Sequence, residues 1–185
     1  MLDSILNNLR VVSLSTRTDF RGINTREVAL IEGSAGWGEF SPFIEYDENE
    51  SIPWLISAIE GATQPRTKAT RKYIDINATL PAVDTRAEVE NILSWYPGAT
   101  TVKIKVGSGA EKDLARIKFV NELLPNAALR LDVNGSWGVE EALEFIYGFY
   151  DSFDEDLLQY IEQPCATLDE LRELKAACMV PVKIA

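Results

Sequence analysis

Three short, regularly spaced segments restrict this chain more than any other feature. They are Val102-Lys103-Ile104-Lys105-Val106, Leu129-Arg130-Leu131-Asp132-Val133-Asn134-Gly135 and Gln159-Tyr160-Ile161-Glu162-Gln163-Pro164. Each is an apolar run interrupted by charges at alternate positions. A strand sends successive side chains to opposite faces. Lys103 and Lys105 therefore share one face, with Val102, Ile104 and Val106 on the other. Asp132 and Asn134 share a face in the same way, and Glu162 points opposite to Ile161. Taken singly, each segment has a plain structural reading. Lys-x-Lys suits a solvated edge strand, Asp-x-Asn-Gly a turn, and Glu-Gln-Pro the end of a strand. Each is followed by a helical pattern, however, so together they read as strands of a parallel sheet. Such strands are buried on both faces and should be nearly all apolar. Charges at their C-terminal ends, on one side, are where barrel enzymes keep catalytic groups.

The chain changes character near residue 73. Before it, Arg10 to Ser15 and Arg26 to Glu32 read as two strands joined by the polar stretch Thr16 to Gly22. A turn-rich Gly33 to Gly38 follows, then a short helix over roughly Pro53 to Ala62, with Pro53 near its first turn. Residues 1–72 thus form a small α+β unit, with Gln64 to Lys68 as a plausible linker. Residues 73–185 alternate strand and helix. Ile74 to Leu80 is strand-like, and Asp84 is placed to cap a helix with Val89, Ile92 and Leu93 on its inner stripe. The next helix carries Leu114, Ile117, Val120 and Leu124 and stops at Pro125. Ser136 is placed to cap a helix with Ala142, Leu143, Ile146 and Phe149. Thr167 and Glu170 make a capping-box pattern, and Val180 to Ala185 begins a fifth strand. Regular βα alternation means parallel strands with right-handed crossovers. A barrel and an open doubly wound sheet both fit that order. Charges drawn from successive strands favour the barrel, since an open sheet concentrates its site at one switch point.

Composition excludes several function classes. The formal net charge of −11 leaves no basic stripe to neutralise phosphates, which argues against a nucleic-acid partner. No apolar run approaches the length needed to span a membrane, and Met1-Leu2-Asp3-Ser4 does not open a signal peptide. Two cysteines, Cys165 and Cys178, fit a reducing cytoplasm. The absence of histidine removes His-based acid–base chemistry and the commonest metal ligand. Asp132 and Glu162 are hard oxygen ligands that suit Mg²⁺ or Mn²⁺. Two carboxylates with a dication can stabilise the enediolate formed when a proton leaves next to a carboxylate. Lys105 is the candidate to take that proton. A lysine normally titrates near about 10.4, and a second ammonium at Lys103 with a nearby metal ion would push it down.

These residues resemble the enolase superfamily across nearly the whole chain. Lys103-Ile104-Lys105 is similar to its Lys-x-Lys on the second barrel strand, Asp132-Val133-Asn134 to its first metal ligand, and Ile161-Glu162-Gln163-Pro164 to its second. Within it, the chain most resembles the o-succinylbenzoate synthase family of the menaquinone pathway, in its actinobacterial form. The features that carry this are Phe20-Arg21-Gly22 with Thr25-Arg26-Glu27, the run Gly36-Trp37-Gly38-Glu39-Phe40-Ser41-Pro42-Phe43, and Arg130 two residues before Asp132. The resemblance implies a (β/α) barrel, incomplete here with about five of eight strands, preceded by an α+β capping domain. It implies a small carboxylate substrate, Mg²⁺ (or Mn²⁺), and a dehydration in which Lys105 takes the α proton and later protonates the departing hydroxyl. Lys103 would supply positive charge, and Asn134 would lie at the edge of the metal site. The Thr18 to Gly22 loop, with Phe20 and Arg21, would cover the pocket. Arg130 would serve the substrate or pair with a neighbouring carboxylate. Glu39 reads as a structural acceptor, and Trp37, Trp54, Trp95 and Trp137 as packing residues. The same lysines and ligands also serve N-acylamino acid racemases, dipeptide epimerases and muconate-type cycloisomerases, and a fragment with the motifs but no complete site is the non-enzymatic alternative.

The superfamily takes a third carboxylate from the end of the fifth strand, a position expected just beyond Ala185. The chain therefore reads as the first part of a longer enzyme. Five strand candidates leave sheet edges and apolar faces uncovered, and two carboxylates hold Mg²⁺ more weakly than three. The isolated 185-residue chain is expected to aggregate or bind hydrophobic dyes and to show little dehydratase activity with Mg²⁺. Full activity from a well-behaved monomer would overturn that expectation.

Overall fold

Alternating and β-branched residues build a long hairpin at the start of the chain. The computed structural model describes residues 7–20 and 22–185, leaving aside the side chains of Asp19 and Phe20. Strand β1 (Leu9–Phe20) pairs antiparallel with β2 (Ile23–Gly33), which pairs with β3 (Gly36–Phe40). The strands run further than the sequence predicts. Most of Thr16 to Gly22 is strand, because Phe20 pairs with Ile23 after a register shift that follows the Ser15–Thr25 pair. Thr16 and Thr18 favour extended backbone, and the Thr16 hydroxyl donates to the Thr18 carbonyl at 2.6 Å.

Helix α1 (Glu48–Thr63) also begins before the expected Pro53. Asp47 caps it, accepting from the Glu50 amide while the Glu50 carboxylate accepts from the Asp47 amide. That reciprocal cap nucleates the first turn and leaves Pro53 inside the helix, where it removes one main-chain bond. Small residues let α1 lie on the sheet. A Cβ added at Gly38 would stand 1.8 Å from the Ala58 carbonyl oxygen, so only glycine fits. Ile31, Ala58 and Ala62 form the core of this unit.

The chain divides into two units, Met1–Tyr73 and Ile74–Ala185. In the second, β4 (Ala78–Leu80), β5 (Thr101–Lys105), β6 (Ala128–Asp132) and β7 (Leu158–Glu162) form a parallel sheet in the order β4-β5-β6-β7. Helices α2 (Arg86–Leu93), α3 (Ala110–Leu123), α4 (Val139–Ser152) and α5 (Leu168–Ala177) alternate with them. Strand order follows chain order with no reversal, which is the winding of a barrel rather than of a doubly wound sheet. Past β7, Ile184 adds one parallel bridge to Ile161, in place of the strand expected over Val180 to Ala185. One face of the sheet is apolar: Val102, Ile104, Leu129, Leu131 and Ile161 are at most 1% exposed. They pack with Val89, Ile117, Val120, Ile146, Phe149 and Leu174 from the helices. Burying each such side chain contributes roughly 1.5–3 kcal/mol.

Three local expectations need correction. Strand β4 is three residues long rather than seven. Ala78 pairs with Val102 and β5 begins at Thr101, so residues 74–77 lie before the paired stretch, and Ile74 and Ile76 are exposed. Thr85, not Asp84, caps α2 in a capping box with Glu88; the Asp84 carboxylate instead faces Arg116 and Lys112. Gly138, not Ser136, precedes α4, because the Ser136 hydroxyl is committed to the Val133 carbonyl at 3.0 Å.

The predicted cap of α5 is present. The Thr167 hydroxyl accepts from the Glu170 amide at 3.2 Å and meets the Glu170 carboxylate at 2.7 Å. Hydrogen bonds from the Thr167 hydroxyl and amide hold the Glu170 carboxyl below its ordinary 4.5. A depressed folded-state pKa adds stability above the unfolded value and loses it as pH falls through the folded value. Thr167→Ala is expected to cost about 1 kcal/mol at neutral pH. Urea midpoints should show the gap between parent and variant narrowing below pH 4.5.

Candidate active site

Lys105, Asp132 and Glu162 are the last residues of β5, β6 and β7, and the register sets them directly opposite one another. Lys103 lies one step lower, opposite Arg130, which in turn faces Tyr160. The other side of the sheet is taken up by the apolar core, so all these side chains emerge on the opposite face. Lys103 is long enough to reach up to the terminal row. Its Nζ stands 2.9 Å from Glu162 Oε1 and 3.2 Å from Asp132 Oδ2. Lys105 Nζ lies 3.8 Å from Asp132 Oδ1 and donates to Asn134 Oδ1.

The electrostatics separate the two lysines. Burial works to lower the Lys103 pKa, but hydrogen bonds from its ammonium to Glu162 and Asp132 outweigh it, and the net shift is upward from 10.5. Lys103 therefore stays charged throughout the neutral range. The stability it adds is present below 10.5 and is lost only as pH rises through the raised value.

Asp132 Oδ1 is buried and accepts no hydrogen bond from any described residue. A carboxylate oxygen in that state invites a cation. Among the described residues no three His, Cys, Asp or Glu side chains gather around one point; Asp132 and Glu162 are the carboxylates available. This all-oxygen pair, with the Asn134 amide oxygen nearby, fits a hard dication such as Mg²⁺ or Mn²⁺ and not a soft metal.

The loops beyond these strands are tightly constrained. Asn134 (φ 54°) and Gln163 (φ 41°) are the non-glycine residues at positive φ among those described. Each follows a candidate ligand within two positions, and such conformations cost of order 1–3 kcal/mol unless the surroundings impose them. Here they do: the Gly135 amide donates to the Gln163 carbonyl at 2.6 Å. A Cβ at Gly135, itself at φ 71°, would press on Ala166 Cα at 3.1 Å.

The remaining predicted residues divide. Arg130 donates to Gln159 Oε1 at 2.8 Å and to Asn77 Oδ1 at 2.9 Å, and its guanidinium lies 5.4 Å over the Tyr160 ring. These partners are neutral, not the carboxylate that the sequence offered as one choice. The pairing steps from Leu129–Leu158 to Arg130–Tyr160, so Gln159 is an extra residue that brings two side chains to one guanidinium. Arg21 and the Phe20 side chain lie outside the described residues. Glu39 accepts from the Ser41 hydroxyl at 2.6 Å, a structural role. Trp137 is buried against Phe145, whereas Trp37 and Trp54 are 45% and 43% exposed.

Sequence reasoning missed one group near this site. Asp113 and Arg116 on α3 are 0% and 1% exposed and paired at 2.7 Å. The available signal was their spacing of three on the helix face that also carries Ile117 and Val120, a stripe where charges are out of place.

Comparisons with known proteins bear on the family and the fold. Residues 11–62 match the family model described as "Enolase N-terminal domain-like" and residues 85–185 the one described as "Enolase C-terminal domain-like". The chain is 45% identical to o-succinylbenzoate synthase of Mycolicibacterium smegmatis over 98% of its own length and 56% of the relative's. It is 46% identical to the enzyme of that name from Mycobacterium tuberculosis, over 98% and 55%. It thus spans about half the length of the curated relatives it matches. Among solved structures it is similar to o-succinylbenzoate synthase of Thermosynechococcus elongatus, complexed with Mg in the active site. That match has a TM-score of 0.59 and 22% identity over 95% of this chain and 67% of the other. A mandelate racemase/muconate lactonizing protein from Herpetosiphon aurantiacus has a TM-score of 0.73 at 18% identity over 95% and 65%. With a barrel-type winding, charges at the ends of successive strands and a family model covering most of the second unit, the chain belongs to the enolase superfamily.

Proposed function

We propose that this chain is part of a carbon–oxygen lyase of the o-succinylbenzoate synthase type, a dehydratase of menaquinone biosynthesis acting on a small carboxylate. One observation carries the reading: two ammonium groups and two carboxylates converge at the ends of three adjacent parallel strands. The named relatives at 45–46% identity support the choice of substrate class. Free thiols at Cys165 and Cys178 fit a reducing cytoplasm.

In this reading Lys105 Nζ, as the free amine, takes the proton α to the substrate carboxylate. The same proton, now on the Lys105 ammonium, goes to the departing hydroxyl, which leaves as water. The Asn134 amide oxygen, already hydrogen-bonded to Lys105, orients Nζ. Lys103 keeps its charge and faces the carboxylate as negative charge builds there. Asp132 and Glu162 would hold Mg²⁺, with a third ligand expected just beyond Ala185. When bound, the ion supplies positive charge to carboxylate oxygens that become electron-rich as the proton leaves. Two carboxylates alone hold it weakly, so the 185-residue chain by itself is proposed to turn over poorly.

Two measurements test this reading in the full-length enzyme that contains the chain. Lys105→Ala should lower kcat by about 10²- to 10⁴-fold while folding and Mg²⁺ binding persist. Near-normal turnover of Lys105→Ala alongside an inactive Lys103→Ala would reverse the two roles. Mg²⁺ at a hundred times its Kd should add about 2.7 kcal/mol of stability, read as a rise in Tm. Asp132→Ala should abolish that rise, and an unchanged rise would remove Asp132 from the ligand set.

A further inference from the structure

The peptide that follows Lys105 is held from two sides. The Val106 N–H donates to the Asp132 carbonyl at 3.0 Å. In a trans peptide the carbonyl of the same unit, that of Lys105, points the opposite way. On that side the β4–β5 ladder stops at the Leu80–Ile104 pair, so no strand is there to receive it. A buried carbonyl still needs a donor. Arg116 supplies it, with Nη1 2.8 Å from the Lys105 carbonyl oxygen.

Three further N–H groups of the guanidinium are used. Nε donates to the Val83 carbonyl at 2.6 Å, Nη1 also to Asp113 Oδ1 at 2.7 Å, and Nη2 to Asp84 Oδ1 at 3.4 Å. The second Asp113 oxygen accepts from the Gly107 and Ser108 amides at 2.7 and 3.0 Å. One buried pair thus ties the loop after β4, the end of β5 and the loop after β5 into one unit. Gly107, at φ 102°, closes the other side: a Cβ there would meet Ser136 Oγ of the next loop at 2.6 Å.

We infer that Arg116 and Asp113 are positioning residues for Lys105, fixing the main chain from which its amine is aimed. The inference rests on the assignment of Lys105 as the base. The hydrogen bonds of the pair go to Lys105, Val83, Asp84, Gly107 and Ser108 and not to Asp132 or Glu162, so its effect on Lys105 passes through the main chain there and in the adjoining loops. Replacing a buried pair with only a stabilising role would change stability, because backbone groups lose their partners, and would leave the rate of the folded enzyme alone. Replacing a positioning pair would not, since a displacement of about 1 Å at a reacting group costs on the order of a hundredfold in rate.

The test uses the full-length enzyme in two variants. Arg116→Met with Asp113→Leu removes both charges together, avoiding the lone buried charge that a single change would leave. Arg116→Lys keeps the charge but loses the planar fork that reaches Lys105, Val83 and Asp113 at once. In folded variants kcat should fall about tenfold to a hundredfold, with KM and the Mg²⁺-induced rise in Tm unchanged. That split marks loss of an interaction felt only in the transition state. A folded variant with the parent's kcat overturns the inference. So does a parallel loss of kcat, KM and Mg²⁺ response, or failure of both variants to fold, each of which makes the pair a general fold element. The parent separates this from the functional reading: if it exchanges the α proton of an N-acylamino acid but dehydrates nothing, only the dehydratase reading fails. The variants are then read by that exchange rate. A parent active in neither assay removes the role of Lys105 and this inference with it.

Discussion

The register of three parallel strands is the constraint on which the site depends. Lys105, Asp132 and Glu162 meet because the pairs Lys105–Asp132 and Asp132–Glu162 are in step. A slip of one residue would carry Asp132 to the face that packs on the helices. There it would sit among side chains such as Leu131 and Ile161 that are wholly buried, and an unpaired charge in such surroundings is prohibitive. The apolar face thus sets the position of the polar one. The ion pairs do not: Lys103 and Glu162 keep 25% and 33% of their side-chain surface, and pairs this exposed contribute only about 0–1 kcal/mol.

Beyond the last paired residues the ladder no longer holds the chain, and each loop is fixed by a different device. After β6 and β7, left-handed residues at Asn134 and Gln163 are locked by the Gly135–Gln163 hydrogen bond. After β5, the buried carboxylate of Asp113 gathers two amides and the Arg116 guanidinium. These devices are local, and each fixes the chain where the ladder no longer does.

The barrel-type order of strands and helices was legible because its signals are periodic: alternation on β5 and β6, and three- and four-residue spacing on α2, α3 and α4. The face shared by Lys103 and Lys105 follows from the same alternation. What eluded the sequence was decided by partners distant in the chain. Residues 74–77 have the alternation of a strand, but they lie before the stretch that pairs with β5. Asp84 and Ser136 are good caps by type, yet each side chain is engaged elsewhere, by Arg116 and by the Val133 carbonyl. Arg130 found amides instead of a carboxylate because an extra residue on β7 places Gln159 beside it. The Asp113–Arg116 pair was hidden because charged residues on a helix are ordinarily solvated.

The two lysines on β5 share one face of the strand and meet different partners. Lys103 reaches two carboxylates within 3.2 Å, and both oppose loss of its proton. Lys105 stands 3.8 Å from its carboxylate neighbour and donates to the amide oxygen of Asn134. From one strand face the two residues thus meet different acceptors, Lys103 a pair of carboxylates and Lys105 an amide oxygen with one carboxylate at 3.8 Å.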